Sequence, residues 1–513
     1  MSAPRYLTDH EPCIPVVFCD GRQESLGWRG LLLRAHEIED LALPLPPAAS
    51  AVLRLLTAMA ARITGLDDPE MSVGEWAARR RQLLERPGGF DAGAVEAYFA
   101  RYTWDLFDPV RPFLQDPRLA VQCERRAGVN KLVFGRPEGN NLAWLSPHTD
   151  TDPRPVPSDQ ALWHLLIHHF YGASGLCSAR TVGGRRLTKT VAGPLRSALS
   201  FHPLGRTLFE TLLAGVPKPA DDWPEQADHC PWEEPSLPDP LAGPAAVTWP
   251  GRLLTGRSVH ALLLLPSADG RQVTDAFVSA AAVTKLPAVD PFLIHHVDTG
   301  KPASRRHRPR RADADRALWR DLDALLLAGD ETAAVRRPEA FAALNDLPGE
   351  VRGGLRVRVH GFDQEGRTAN RTWYTALTPP IWPWMQEHDP DSAERVAACR
   401  IAAEEVGALL QQVCRQAVRA LAGAARPPRR LPSWATRASA AYWPRAERVF
   451  WRLLEQPGHG EEEVRAAFAV EAVAVLREVT RPLLARHFAA GPALARAVAQ
   501  LHRPPSPARR PAW

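Results

Sequence analysis

The sequence predicts an α+β protein in which a large mixed α/β N-terminal domain is followed by a C-terminal four-helix bundle. Up to about residue 375, short apolar runs bounded by turn residues alternate with segments of helical spacing. From about residue 390, long segments of i, i+3, i+4 apolar spacing are separated by proline and glycine. We therefore place the domains at 1–375 and 376–502. The Pro- and Arg-rich segment 503–513 is expected to be a disordered tail.

The first elements are predicted from apolar runs and their spacing. Residues 13–17 and 31–33 read as strands of a small sheet, with a turn at 19–21 between them. Residues 48–61 place apolar side chains at spacings of three and four with few charges, which predicts a buried helix. The segments 72–86 and 93–102 also have helical spacing.

The middle of the chain mixes both patterns. A helix over 158–171 is predicted to begin at Ser158, whose hydroxyl is suited to cap the first free N–H groups. Residues 194–214 are expected to be helical in part. The region 248–297 is rich in β pattern, with strands at 261–265 and 273–283 around a turn. A helix at 316–327 and a strand at 355–360 complete the domain.

The bundle is predicted from four amphipathic segments joined by short Pro- or Gly-containing loops, which usually connect antiparallel neighbours. The predicted helices cover 391–422, 433–454, 461–484 and 492–501.

Composition narrows the class of protein. The chain has 513 residues, 45% of them apolar, and 63 Lys and Arg against 58 Asp and Glu give a net charge of +5. These values exclude fibrous, disordered and small disulfide-scaffold proteins. No apolar run approaches the roughly 20 residues that span a bilayer, so a cytoplasmic protein without a membrane partner is expected. Seven cysteines, never spaced as CxxC, argue against a zinc ribbon.

Catalytic signatures are missing from the sequence. It contains no GxxxxGK[ST], GxGxxG, HExxH or GxSxG motif, so neither a catalytic residue nor a cofactor is predicted. His164 and His168, one helical turn apart and followed by His169, lack further metal ligands and are better interpreted as packed histidines. The sets His148/Asp150 and His295/Asp298 leave a metal-dependent nuclease or phosphohydrolase as one alternative.

Basic segments point instead to nucleic acid. One is a cluster in a Pro-interrupted loop, whose alternative is a solvated surface loop: Lys301, Arg305, Arg306, His307, Arg308, Arg310 and Arg311. A second combines two glycines with arginines, followed by Lys189: Thr181, Val182, Gly183, Gly184, Arg185 and Arg186. A third is the polar turn 361–368, which directly follows a strand. Taken separately, the last two also fit ordinary turns.

These segments follow a further one in a recognisable order. Gly128-Val129-Asn130-Lys131-Leu132 precedes the loop 139–149, and then come a helix, the glycine segment, a β-rich region, a helix at 317–322, a strand with a polar turn, and the bundle. Together with the opening Ile14-Pro15-Val16, this order resembles CasA, the large-subunit family of type I-E CRISPR Cascade complexes.

The resemblance implies roles for particular residues. Residues 181–186 would form the glycine loop that lies in the minor groove of the protospacer-adjacent motif (PAM). The loop near the crRNA 5′ end, which helps to sense the PAM, would include Asn140, Asn141, Trp144, Leu145 and Ser146. The wedge that opens the duplex would be Asp363, Gln364, Glu365, Gly366 and Arg367, with Gln364 as its glutamine. Further DNA contacts are expected from Lys189, Arg305, Arg306, Arg308 and Arg310.

The resemblance also implies partners and a non-enzymatic role. The partners would be double-stranded target DNA, crRNA, the backbone, crRNA 5′-end and small subunits of Cascade, and a helicase-nuclease that supplies the cleavage. Besides the metal-dependent enzyme, a helical adaptor that binds only protein remains an alternative.

Overall fold

The computed structural model describes residues 3–137, 146–149, 151–219, 224, 226–243, 245–285, 287–329, 334–364, 370–421, 432–456, 458–486 and 490–503. The chain divides into two compact units. The first comprises Met1–Arg316 and Ala328–Trp382, and the second comprises Ala317–Leu327 and Pro383–Trp513. Within the described residues, no helix is both long and apolar enough to cross a bilayer.

The strands that the structure describes are short, and every one of them lies in the first unit. In chain order they are β1 (Ile14–Phe18), β2 (Gln23–Leu26), β3 (Ile38–Leu41), β4 (Val156–Pro157), β5 (Gly175–Val182), β6 (Arg185–Thr190), β7 (Leu199–Leu204), β8 (His260–Pro266), β9 (Gln272–Ala280), β10 (His295–Val297), β11 (His307–Pro309), β12 (Val335–Arg336), β13 (Arg356–Gln364) and β14 (Asn370–Leu377).

The helices that precede the C-terminal region are mostly short. They are α1 (Trp28–Leu33), α2 (Pro46–Thr64), α3 (Val73–Leu84), α4 (Ala92–Phe99), α5 (Leu119–Gln122), α6 (Val129–Leu132), α7 (Ser158–Tyr171), α8 (Leu208–Gly215), α9 (Gly251–Thr255), α10 (Ala303–Arg306), α11 (Asp323–Leu326) and α12 (Gly349–Gly354). The C-terminal helices are α13 (Pro390–Leu421), α14 (Ser433–Glu455), α15 (Glu461–Arg486) and α16 (Gly491–His502). Short 3₁₀ helices span Leu318–Asp321, Glu339–Phe341, Leu344–Asp346 and Trp382–Trp384.

The strands form small antiparallel sheets rather than one large sheet. Their strand orders are β2-β1-β3, β4-β9-β8, β11-β10-β12 and β14-β13-β7, and β5 and β6 form a separate hairpin. An isolated two-stranded hairpin is marginally stable at best, and a three-stranded sheet needs an apolar face or a helix packed on it. Helices supply such packing here, for example α2 on β13 and α7 on β8.

Helix α2 forms the centre of the first unit. Every residue of α2 except Arg62 and Ile63 is buried, and the helix packs against α7, α8, α9 and β13. It contains one buried cation, Arg54, whose guanidinium donates to both carboxylate oxygens of Asp290 at 2.9 and 3.0 Å. The apolar segment 48–61 is therefore helical and buried, as predicted.

The second unit consists of α13–α16 with the segment 317–327 packed on them. The ring of Trp319 lies 4.7 Å from that of Phe450, and Arg320 donates to Glu404 at 2.8 and 2.9 Å. Helices α13 and α14 approach closely at Gly407, where a Cβ atom would lie 2.8 Å from the Trp443 ring. The predicted fold class, an α/β region followed by a four-helix bundle, is confirmed.

Of three local predictions, two are wrong. Residues 31–33 belong to α1 and are not a strand. The segment 194–214 is helical in part, as expected: α8 begins at Leu208, after the strand β7, which is buried throughout and pairs with β13. Ser158 is not the cap of α7, because Pro157 occupies that position and the Ser158 hydroxyl donates instead to the Gly270 carbonyl oxygen at 2.8 Å.

Candidate nucleic-acid interface

The Gly183-Gly184 segment is the two-residue turn of the β5–β6 hairpin. Val182 pairs with Arg185 and Thr181 with Arg186, and the two glycines have φ of +54° and +76°. Positive φ at both central positions is the signature of a type I′ turn, which glycine adopts without steric cost. A Cβ atom on Gly184 would have no neighbour within 4 Å, and one on Gly183 would only touch Leu241 at 3.4 Å. The tip of the hairpin is therefore exposed backbone without side chains.

A buried arginine fixes the base of this hairpin. Arg180, on β5, is fully buried and donates to Gln122 Oε1 at 2.7 Å, to the Ala280 carbonyl oxygen at 3.0 Å and to Asp116 Oδ2 at 2.6 Å. Burial raises the pKa of Asp116, but the hydrogen bonds and charges of Arg118 and Arg180 outweigh it and hold the pKa below its usual value. The carboxylate is therefore ionised at neutral pH and anchors β5.

The predicted basic side chains of the hairpin differ in their contacts. Arg185 and Lys189 are exposed and form no ion pair with any residue that the structure describes. Arg186 is also exposed, but its guanidinium donates to both carboxylate oxygens of Glu124, at 2.7 and 2.9 Å. Thr181 is exposed and Val182 half-buried. Among the described residues, Arg185 and Lys189 are therefore without an ion pair, whereas Arg186 already has an anionic partner.

The predicted wedge falls on the β13–β14 hairpin, and its glutamine, Gln364, lies at the base of that hairpin. Its side chain is buried, accepting from Ser197 N at 3.1 Å and donating to Asn370 Oδ1 at 2.8 Å and the Tyr171 carbonyl oxygen at 3.3 Å. Because each polar atom of its amide already has a partner inside the protein, Gln364 belongs to the hairpin base and is not an exposed wedge in this conformation. Asp363 is half-buried beside it, whereas Glu365, Gly366 and Arg367 lie outside the described residues.

The basic segment after residue 300 contacts this same hairpin base. Arg311 donates to the Gln364 carbonyl oxygen at 3.1 Å, and Ala314 N donates to Asp363 Oδ2 at 3.3 Å. The structure therefore brings together two segments that the sequence offered separately.

Within the basic segment, helix and strand replace the predicted loop. Arg305 and Arg306 are exposed at the end of α10, and β11 pairs with β10. Arg308 forms an exposed ion pair with Asp298 at 3.0 Å, and Arg310 is half-buried, its backbone N–H donating to Ile294 O at 2.8 Å. Exposed arginines therefore occur along the whole segment, at Arg305, Arg306, Arg308 and Arg311.

Most of the predicted PAM-sensing loop lies outside the described residues: Asn140, Asn141, Trp144 and Leu145. Ser146 is described, and its hydroxyl accepts from His148 N at 3.2 Å. Beside it, the Asn130 amide donates to the Thr149 carbonyl oxygen at 2.9 Å, which ties the end of this loop to α6.

The candidate metal ligands have other partners. His168 Nε2 lies 3.1 Å from the Leu132 carbonyl oxygen, His169 Nδ1 lies 2.8 Å from Ser258 Oγ, and His164 Nδ1 accepts from Phe134 N at 3.3 Å. Burial lowers the pKa of His164 to about 3, so its ring is neutral at pH 7. In the part of the chain that the structure describes, which omits Asp150, no three His, Cys, Asp or Glu residues are grouped to hold a metal ion.

Sequence reasoning missed the residues that position the hairpin. Arg180, Asp116 and Glu124 carry no local motif, and their partners lie 58 to 100 residues away along the chain. The only available signal is a charged residue in a strand directly before a glycine turn.

Comparisons with known proteins give the family. The CRISPR-associated protein Cse1 family (CRISPR_cse1) matches residues 9–483. A chain of a CRISPR RNA-guided surveillance complex is 38% identical, with a TM-score of 0.86 and coverage of 98% of this chain and 100% of that one. The CasA/Cse1 protein of Thermus thermophilus is 27% identical over 80% of this chain and 78% of its own. Thermobifida fusca Cse1, at 19% identity and a TM-score of 0.73 over 97% of this chain and 98% of that one, shares the fold. Because the family match spans most of its length, the chain belongs to the CRISPR-associated protein Cse1 family.

Proposed function

We propose that this chain is the large subunit of a type I-E Cascade complex and that it recognises the PAM of double-stranded target DNA through the minor groove. Membership of the Cse1 family and 38% identity to a chain of an RNA-guided surveillance complex support the assignment to such a complex. The observation that carries the DNA-binding part is the exposed glycine turn, whose backbone has little around it and which is followed by the basic strand β6.

The turn suits the minor groove for a steric reason. That groove is ~6 Å wide and offers a degenerate pattern that distinguishes mainly A·T from G·C. A two-glycine turn presents backbone without side chains, so it enters a narrow groove more easily than a turn with bulky residues. Arg185 directly follows the turn and Lys189 lies further along the same strand, β6, where both would neutralise phosphates on that side of the turn. Readout of this kind tolerates several motifs and leaves strict sequence choice to the guide RNA.

Strand separation would begin at the wedge. With Gln364 committed to the hairpin base, the proposed wedge is the segment containing Glu365, Gly366 and Arg367. Each base-pair step costs roughly 1.4 kcal/mol to unstack, so a wedge and a few phosphate contacts are enough to start an R-loop. Arg305, Arg306, Arg308 and Arg310 would hold DNA beside it, and residues 140–146 would contact the complex near the crRNA 5′ end.

No hydrolytic step is assigned to this chain. In this proposal a separate helicase-nuclease docks on it and cleaves the DNA, and the C-terminal bundle contacts the small subunits. Metal-dependent cleavage by the isolated chain would contradict this division of labour. Salt-independent association without a DNA footprint would favour the protein-only adaptor instead.

The test is a gel-shift titration of the assembled complex on a target duplex with a randomised PAM. We expect Gly183→Asp and Gly184→Asp to abolish motif-dependent binding while the complex still assembles, since a carboxylate would fill the groove and repel phosphates. The matched control is Gly21→Asp. Gly21 also has positive φ and no neighbour within 4 Å, but lies in the turn between β1 and β2. Unchanged motif dependence in the Gly183 and Gly184 variants would refute the proposal.

A further inference from the structure

A third extended segment, at Cys123 and Glu124, runs beside the β5–β6 hairpin, called the glycine hairpin below. Cys123 forms an antiparallel bridge with Arg180, and Glu124 N donates to the Ala179 carbonyl oxygen at 3.2 Å. Strand β5 therefore lies between this segment and β6, and the buried Arg180 anchors it to Gln122 and Asp116. The position of Glu124 relative to the hairpin is thus fixed by backbone pairing.

The ion pair between Arg186 and Glu124 spans β5. Its two nearly equal distances, 2.7 Å from Nε to Oε1 and 2.9 Å from Nη2 to Oε2, describe a fork-to-fork contact that uses two guanidinium donors. The side chains remain 56% and 47% exposed, so both are accessible to a competing ligand. The hydrogen bond from Arg186 lowers the pKa of Glu124, which is therefore a carboxylate at neutral pH.

A DNA phosphate presents the same chemistry as this carboxylate. Both are anions with oxygens spaced to accept two parallel guanidinium hydrogen bonds. Arg186 cannot give the same two donors to a phosphate and to Glu124, so contact with DNA would require the carboxylate to leave. Glu124 also places a negative charge beside Arg186, on the face that is proposed to meet DNA.

We propose that Glu124 is an autoinhibitory residue of the DNA interface, competing with DNA phosphate for Arg186 and so lowering sequence-independent affinity. This inference rests on the proposed function, because it takes the β5–β6 hairpin as the surface that meets DNA. Non-specific binding consists almost entirely of phosphate contacts, so it is the mode that such competition weakens. Motif-dependent contacts of the glycine turn do not involve Glu124.

The experiment compares wild-type complex with Glu124→Gln, which keeps the size of the side chain and removes its charge. Binding to a duplex without guide complementarity is measured over a range of salt concentrations. We expect binding about two- to fivefold tighter than wild type, the range that corresponds to exposed ion pairs. The slope of log K against log salt should steepen by about 0.9, the value for one further phosphate contact.

Two further variants isolate the cause. Glu96→Gln is the matched control. Glu96 lies on α4 and not on the β5–β6 hairpin, is 51% exposed and accepts a 2.9 Å hydrogen bond from Arg29. This substitution should leave DNA binding unchanged. In an Arg186→Gln background, the gain from Glu124→Gln should shrink at least twofold, because there is no guanidinium to release. Unchanged or weaker binding by Glu124→Gln, or an equal gain in the Arg186→Gln background, would overturn the inference.

Failure of the inference can be separated from failure of the proposed function. If Gly183→Asp loses motif-dependent binding while Glu124→Gln has no effect, only the role of Glu124 is refuted. If Gly183→Asp retains motif-dependent binding, the hairpin is not the reader and both are refuted.

Discussion

Replacing Arg180 with methionine should loosen the glycine hairpin selectively. Methionine fills similar space with a flexible apolar chain but cannot donate. The Gln122 side-chain oxygen and the Ala280 carbonyl oxygen would each lose their bond from Arg180, and Asp116 would lose one of its two arginine partners. All of these contacts fasten β5 to segments distant in the sequence.

The size of the effect follows from the burial of the group. Removing one partner of a buried ion pair typically costs about 3–5 kcal/mol. Asp116 keeps Arg118, at 2.8 and 2.9 Å, and its side chain is 10% exposed, which favours the lower end of that range. A local destabilisation of about 3 kcal/mol corresponds to roughly 100-fold faster exchange through opening of the hairpin.

Hydrogen–deuterium exchange of the full chain, followed by mass spectrometry of peptides covering β5 and β6, measures this directly. The control is Arg54→Met. Arg54 lies on α2, is equally buried and forms an ion pair with Asp290. We expect faster exchange in β5 and β6 only for Arg180→Met, and faster exchange around α2 for the control. Unchanged protection of the hairpin in Arg180→Met would refute the reasoning that Arg180 positions it.

Three other perturbations test the structure. Gln364→Ala should lower the free energy of unfolding by about 1–3 kcal/mol, because buried groups such as Ser197 N lose their partner. Urea denaturation measures this change, and an unchanged free energy would contradict the assignment of Gln364 to the hairpin base. Burial lowers the pKa of His360 to about 3 and of His260 to about 4, so these rings are neutral when folded and take up protons on unfolding below about pH 6.5. The free energy of unfolding of the first unit should therefore fall as the pH drops from about 6.5 towards 4. Urea denaturation should show a lower midpoint at pH 5 than at pH 7, and equal midpoints would contradict the prediction. Gly407→Val should destabilise the bundle by about 1–3 kcal/mol, because the new side chain would collide with Trp443, and this should appear as a lower Tm. The control is Gly491→Val, since a Cβ atom at Gly491 meets nothing within 4 Å.

The helices were largely predictable because their signal is local. Helix α14 begins at Ser433 as expected, and α13 and α15 agree with the sequence pattern to within about two residues at each end. Each of these helices buries one continuous apolar stripe, which repeats every three to four residues along the chain. Strand β7 has no such signal. It is buried on both faces, and its short apolar run only becomes a strand because β13, more than 150 residues away, pairs with it.

The same distinction applies to the candidate site. The Gly183-Gly184 segment was visible because two adjacent glycines followed by arginines are typical of an exposed turn, although the sequence pattern predicted neither β5 nor β6. The burial of Gln364 was not, because Ser197 and Tyr171, which bind its amide, lie 167 and 193 residues away. Polar residues in a turn look alike in sequence whether they point outward or complete a buried network.

In the proposed function, the β5–β6 hairpin combines two tasks with opposite mechanical requirements. Reading a groove with backbone needs a stiff turn, since any freedom lost on binding reduces affinity. Attracting phosphates needs only charge within reach, and flexible side chains supply it. Arg180 would provide the first, because it fastens β5, and the exposed Arg185, Arg186 and Lys189 would provide the second. If this separation holds, Arg180→Met should weaken motif dependence while leaving the salt dependence of binding unchanged, and Glu124→Gln should do the reverse. Variants that changed both properties together would show instead that shape and charge are read by one inseparable surface.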